Sequence, residues 1–255
     1  MPTIITCFKW VVDEAYIRRG ASGDLDFSSV DYKISDYDRN AIEAAVRLKE
    51  AVGGQAIAAT VGVPEATKGV KDALSRGTDQ AYFIADASFG NLDSSQTAFL
   101  LAEVIRARIQ QYDLIICGEG SGDFYAQQVG PRLAENLGIP CISFIQKLSI
   151  DGGQLMAERR VEEGIEVMAA PLPALVTVLP DINIPRIPGV KDTLMASRKP
   201  VATIKKDEIT PVGEARLKTV SLASSRMERS CERFGTETAE IARFVGALRK
   251  RGVIG

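Results

Sequence analysis

"DLIICGEGSGDFYAQQVGP", residues 113–131, decides the fold. The apolar run Leu114–Cys117 reads as a short buried strand, glycines at 118, 120 and 122 open a loop, and a helix is expected from Ala126 onward. The same grammar recurs on the N-terminal side. "TIITCF" (3–8), "QAIAATV" (55–61) and "QAYFIA" (80–85) are further short apolar runs. Between them Ala41, Ile42, Ala45, Val46 and Leu48, then Val70, Ala73 and Leu74, then Phe99, Leu100, Val104 and Ile105 fall at helical spacing. Continuous apolar strands alternating with such helices define an α/β domain, a parallel sheet with helices on both faces. Ser35 with Asp38 three residues on suits a capped start for the first helix, and Pro64 suits the first turn of the second.

After residue 140 the pattern changes. "CISFIQKLSI", "DGG" and "QLMAERRVEEGIEVMAA" read as a β-hairpin near 144–170 followed by further strand, and "PALVTVL" (173–179) as a last core strand. Residues 1–180 therefore form one α/β domain including that hairpin. Residues 181–200 lie in "PDINIPRIPGVKDTLMASRKP", too rich in proline for continuous helix or sheet. Residues 201–255 form a polar C-terminal arm, whose last helix carries Ile241, Phe244, Val245 and Leu248 in one stripe.

Composition removes several kinds of chemistry. The chain has no histidine, so Ser-His-Asp, Cys-His and HExxH mechanisms are unavailable. A formal charge of −2 leaves no basic footprint for nucleic acid. The longest apolar stretch, "VMAAPLPALVTVLP", carries three prolines and is too short for a bilayer, and "MPTIITCFKW" shows no signal-peptide pattern. Cys7, Cys117, Cys141 and Cys231 have no CxxC spacing and read as reduced residues of a cytoplasmic protein, not zinc ligands. No metal site and no catalytic side chain is expected.

Loops at the carboxyl ends of parallel strands are where open α/β sheets bind ligands. Glycine there lets backbone N–H groups approach a ligand, and a following helix N-terminus favours phosphate. Yet GxGxxG fails at Ser121 and Asp123, and GxxxxGK[ST] is absent. Glu119 and Asp123 weigh against a bare phosphate. A carboxylate about 4 Å from a phosphate charge costs roughly 4 kcal/mol at an effective dielectric near 20, against at most about 2 kcal/mol from a helix terminus. The carboxylates must turn away, cap the helix, or accept from ribose hydroxyls or adenine. These residues alone leave two readings open: an adenosine or nucleoside monophosphate site, or a glycine-rich turn with a capping aspartate. Pro131 is awkward in either, because inside a helix begun at Ala126 it leaves the Gln127 carbonyl unpaired.

Several segments in order resemble one family. "TCFKWVVDE", "KISDYDRNAIEAAVRLKE", "KDALSRGTD", "DLIICGEGSGDFYAQQVGPRLAENLGIP" and "DINIPRIPGVKDTLMASRKP" are similar to the β-subunit of electron-transfer flavoproteins, in its FixA-like branch. The resemblance implies a flavodoxin-like or Rossmann-like fold and a carrier rather than an enzyme. It implies pairing with an α-subunit that holds the redox-active FAD, with AMP or a second FAD bound in this chain. Electrons would come from acyl-CoA-type or other flavin dehydrogenases and pass to a quinone reductase or ferredoxin. Carried over by position, the nucleotide site comprises Cys7, Lys9, Ser35, Asp36, Tyr37, Asp38 and Val61. It continues through Gly118, Glu119, Gly120, Ser121, Gly122, Asp123, Tyr125, Gln127, Gln128, Val129 and Gly130. The dehydrogenase-docking loop comprises Ile184, Ile187, Pro188, Gly189, Val190 and Met195. Where many relatives place an aromatic near the flavin, this chain has Asp13 and Glu14. The competing classes are a stand-alone nucleotide-dependent transferase or ligase, with Lys9 and Arg132 as its only nearby basic groups, and an AMP-binding module.

Overall fold

A computed structural model describes residues 1–20, 24–223 and 231–255. In chain order the elements are β1 (Thr3–Cys7), β2 (Trp10–Val12), β3 (Arg18–Arg19), β4 (Leu25–Asp26), β5 (Tyr32–Ile34) and α1 (Asp36–Val52). Next come β6 (Gln55–Gly62), α2 (Thr67–Ser75), β7 (Gln80–Ala85), α3 (Ser94–Arg108), β8 (Leu114–Gly118) and α4 (Val129–Leu137). The chain continues as β9 (Cys141–Asp151), β10 (Gln154–Val161), β11 (Gly164–Pro171), β12 (Ala174–Val178), α5 (Val190–Ala196), β13 (Val201–Lys205) and α6 (Thr238–Lys250).

A nine-stranded sheet runs β11-β10-β9-β12-β8-β1-β6-β7-β13. It is parallel from β9 to β13 and antiparallel across the β9–β11 meander. This is the flavodoxin-like, Rossmann-like α/β architecture. Successive side chains of a strand face opposite sides, and the two faces are filled separately. Ile4, Ile116 and Val176 meet Ala41, Ile42 and Val46 of α1 and Val70 and Leu74 of α2. Ile5, Ile115 and Leu175 meet Ala98, Leu101 and Ile105 of α3 and Leu133 of α4. Each large aliphatic side chain so buried contributes about 1.5–3 kcal/mol, which is why both faces of the sheet read as unbroken apolar strands.

The connections decide where a ligand crevice forms. From β1 the chain moves outward through β6 to β7, and α3 then carries it back to β8 on the other side of β1. Strand order thus reverses between β1 and β8, and the loops leaving their carboxyl ends part there.

Two sequence expectations change. The helix after β8 begins at Val129, not Ala126. Tyr125 and Gln127 hold φ of 47° and 57°, in the left-handed region that no helix admits. Pro131 then falls in the first turn of α4, where its missing N–H costs nothing. Secondly, Val201–Lys205, assigned from sequence to the arm, pairs with β7 in register from Val201↔Ala81 to Lys205↔Ala85. Only Ile204 of this edge strand is buried, so five residues carried too little apolar signal to announce it.

The described residues within 19–25 and 222–255 cluster as a second, small unit. Within it Phe234 packs edge-on to Phe244 at 5.4 Å, and Arg243 covers the Phe234 ring. The stripe of α6 has no buried residue. Within the arm, residues 224–230 lie outside the described residues. No helix among the described residues is long and apolar enough to cross a membrane.

Candidate functional site

Three chain segments converge at the reversal between β1 and β8: the exit of β1, the first turn of α1 and the loop 119–128. Asp38 joins them. Its carboxylate, 6 % exposed, accepts from Lys9 N at 2.8 Å and from Gly118 N at 3.2 Å, one donor per oxygen. The expected capping pair of Ser35 and Asp38 is therefore not formed. Ser35 is the N-cap of α1, but its Oγ accepts from Gly122 N at 3.2 Å, outside the helix. Both side chains tie strand exits to the helix start. Burial pushes the Asp38 carboxyl up to about 7, against the two backbone donors and Lys9, which favour its charge.

The bare backbone of the loop proves to have mostly internal causes. A Cβ at Gly118 would stand 2.6 Å from Asp38 Oδ1 and 2.8 Å from the Tyr37 carbonyl carbon. One at Gly120 would stand 2.5 Å from Tyr125 Cδ2, and one at Gly130 2.6 Å from Thr177 Cγ2. Only Gly122 faces open space, its nearest neighbour being Val11 Cγ2 at 4.0 Å. Three of these glycines thus let protein approach protein, and one borders the crevice.

Asp123 does not cap α4. It accepts from Ser121 Oγ and Phe124 N and pairs with Lys9 Nζ at 2.5 Å, while Lys9 also lies over the Phe124 ring. Burial pushes the Asp123 carboxyl up, and Lys9 with these donors more than offsets it, leaving it below its usual range. The Lys9–Asp123 pair is partly exposed on both sides, so solvent screens it. Lys9→Met is expected to change stability by less than about 1 kcal/mol in a urea titration. A larger loss would make the pair a structural tie rather than a loop latch.

The remaining positions divide between cleft and core. Tyr37 and Tyr125 meet at 5.1 Å between ring centres. Glu119 is buried, and burial together with that carboxylate pushes the Tyr125 phenol up to about 12. Cys7 and Cys117 are buried on neighbouring strands in the α3–α4 face of the core, and Val61 packs beside them. Contact with the Cys7 thiol, with burial, holds the Cys117 thiol well above the ordinary range. Gln128 is the N-cap of α4 and makes no side-chain cap, and the N–H groups of Val129 and Gly130, lying in the first turn, have no intrahelical acceptor.

An open cleft of about 320 Å³ adjoins the crevice, lined by Glu14, Asp36, Tyr37, Asn40, Gly122 and Pro180. Asn40 and Pro180 were not singled out from sequence. The signal was present as a polar side of α1, where Asn40, Glu43 and Arg47 recur at helical spacing. Lys33 holds Asp13, Glu14 and Asp36 together at 2.9–3.4 Å. In the proline-rich segment Ile184, Ile187 and Val190 are 84 %, 92 % and 80 % exposed. Pro188 precedes Gly189, the N-cap of α5, and Met195 is exposed near its end.

The donor set suits a nucleotide. The N–H groups of the first turn of α4, which lack intrahelical acceptors, and the cations of Lys9 and Arg132 match phosphate chemistry. Asp36 and Glu14 match hydroxyls, and the Tyr37 ring matches a base. The model of the electron transfer flavoprotein domain matches residues 24–209, so the chain belongs to the electron transfer flavoprotein family. Members of that family are electron carriers rather than enzymes.

Proposed function

We propose that this chain is the β-subunit of a heterodimeric electron-transfer flavoprotein of the FixA-like branch, with an adenine nucleotide, AMP or a second FAD, in the β1–β8 crevice. The observation that carries the reading is the family match spanning the loop that leaves β8 at the point of strand-order reversal. Bound FAD, held mainly by the α-subunit, supplies the redox chemistry. This chain's part is placement. The N–H groups of Val129 and Gly130 with Lys9 and Arg132 would hold phosphate, and Asp36 would accept from ribose. Cys7, Val61 and Gly118 would contribute backbone walls. Asp13 and Glu14 put charge, not an aromatic ring, at the cleft rim facing the partner's flavin.

The segment 181–200 docks a flavin dehydrogenase through Ile184, Ile187 and Val190, and a quinone reductase or ferredoxin takes the electrons onward. The arm from residue 201, with α6, packs on the α-subunit. We place the complex in the cytoplasm, in keeping with unpaired thiols at Cys7, Cys117, Cys141 and Cys231. A stand-alone transferase or ligase is disfavoured by the family match, since members of that family are electron carriers.

The test is to co-express the chain with its α-subunit, dialyse, denature, and identify the released nucleotide by mass spectrometry. Release of adenine nucleotide from both chains, or of FAD alone in stoichiometric excess over the α-subunit, is expected. A complex with no flavin spectrum and no adenine nucleotide on denaturation would overturn the reading. Gly122→Ala should lower nucleotide retention with little loss of stability, since it adds a methyl group where only the cleft has room.

A further inference from the structure

The exposed apolar segment after β12 is not loose chain, because α1 and the end of α2 hold it at residues 183, 184 and 186. Asn40 Nδ2 donates to the carbonyls of Pro180 and Asn183, and Asn183 Nδ2 returns a bond to Asn40 O at 2.9 Å. Arg47 Nη2 donates to Ile184 O at 3.0 Å, and Arg76 Nη1 of the α2 end donates to Arg186 O at 3.0 Å. At the centre stands Glu43, 3 % exposed. Its Oε2 accepts from Arg186 N at 3.1 Å and Nε at 2.8 Å, while Oε1 accepts from Arg47 Nε and Arg186 Nη2. Glu50 takes the outer edge of the same guanidinium at 2.8 and 3.0 Å.

A buried carboxylate is costly unless fully paired, and this one has four donors. Burial pushes the Glu43 carboxyl up and the Arg186 and Arg47 guanidiniums more than cancel it, so it is charged at neutral pH. The polar face of the segment is consumed by these bonds, and the side chains of Ile184 and Ile187 are left pointing into solvent. A free segment of that apolar content would collapse against its own surface.

We infer that Glu43, Arg186 and Glu50 are positioning residues that fix residues 183–190 in their docking shape before a partner arrives. The ordering cost of the loop is thereby met in the free protein and not at the encounter. This rests on the docking reading above, and the loop's partner is the apolar surface of a flavin dehydrogenase.

Two measurements separate the clamp from the docking role. Trypsin needs an extended arginine, and Arg186 is captive, so the full-length wild-type chain should be cut after Arg186 far more slowly than after the exposed Lys218. Glu43→Gln should raise cutting after Arg186 about tenfold relative to Lys218 (about 1.4 kcal/mol). Glu50→Gln, at a half-exposed site that tolerates change, should raise it by less. Wild-type cutting at Arg186 as fast as at Lys218 overturns the clamp.

The heterodimer is then assayed with a reduced acyl-CoA dehydrogenase as electron donor. Glu50→Gln and Glu43→Gln should raise the KM for the flavoprotein about three- to tenfold, the factor for one lost ordering contact, with kcat and the flavin spectrum unchanged. An unchanged KM in a variant that trypsin opens overturns the positioning role. A wild-type heterodimer that accepts no electrons from the dehydrogenase overturns the docking reading itself, whatever the cutting pattern shows.

Discussion

Gly118→Ala is expected to destabilise the chain by about 3 kcal/mol, measured as the shift in urea midpoint at constant slope. The added Cβ falls 2.6 Å from Asp38 Oδ1, 2.8 Å from the Tyr37 carbonyl carbon and 2.9 Å from Tyr37 Cβ. One of those neighbours is backbone at the first turn of α1, so relief requires that the helix start move away from β8. Such a move also stretches the Gly118 N to Asp38 bond, already 3.2 Å long. Gly122→Ala, four residues on in the same loop, is expected to stay within about 0.5 kcal/mol of wild type. Equal effects at the two positions would show that the close approach of α1 to β8 is not what glycine serves at 118.

The second large effect is pH-dependent and belongs to Asp38. Its carboxyl rises from an ordinary 3.8 to about 7 on folding, so the folded state holds its proton over a range where the unfolded chain has released it. The stability this proton confers is fully present below pH 3.8 and is lost as the pH rises through about 7. The facing groups are Lys9, which favours the charged form, and Asp123, which opposes it. The stability difference between wild type and Asp38→Asn should therefore widen as pH falls from 8 to 4, by up to about 4 kcal/mol. Asparagine keeps one acceptor for the two backbone N–H donors and has no proton to gain, so carboxylates elsewhere cancel in the difference. A difference that narrows toward acid would place the burial cost of this carboxyl below the pull of its donors.

Much of this was legible in the sequence, and the failures have particular causes. The alternation of apolar runs with helical stripes sufficed for the parallel sheet and for both covered faces, because Ile4 and Ile5, or Ile115 and Ile116, each need an apolar partner on their own side. The start of α4 was misplaced because "FYAQQ" has no glycine or proline to mark its break. The break is set by Tyr125 and Gln127 in left-handed backbone, held by the ring contact with Tyr37 and the packing over Gly120. Gly118, Gly120 and Gly122 read from sequence as room for a ligand; a Cβ at 118 or 120 would meet Asp38 or Tyr125, while Gly122 does border the cleft. Neither partner follows a spacing rule: Asp38 lies 80 residues from Gly118, and Tyr125 reaches Gly120 only through left-handed backbone. Glu43 and Arg186 stand 143 residues apart, and no spacing rule joins them.

Helix α1 has 17 residues, about 25 Å, with its first turn at the crevice and its middle against the segment after β12. Asn40, Glu43, Arg47 and Glu50 recur every three or four positions and so share one side of the rod. Because each residue turns an α-helix by about 100°, a single insertion between Asp38 and Asn40 would swing that side a quarter-turn or more away while Ser35 and Asp38 stayed in place. The rotational phase of one helix thus fixes the bearing of two surfaces at once, and neither can drift in evolution without the other.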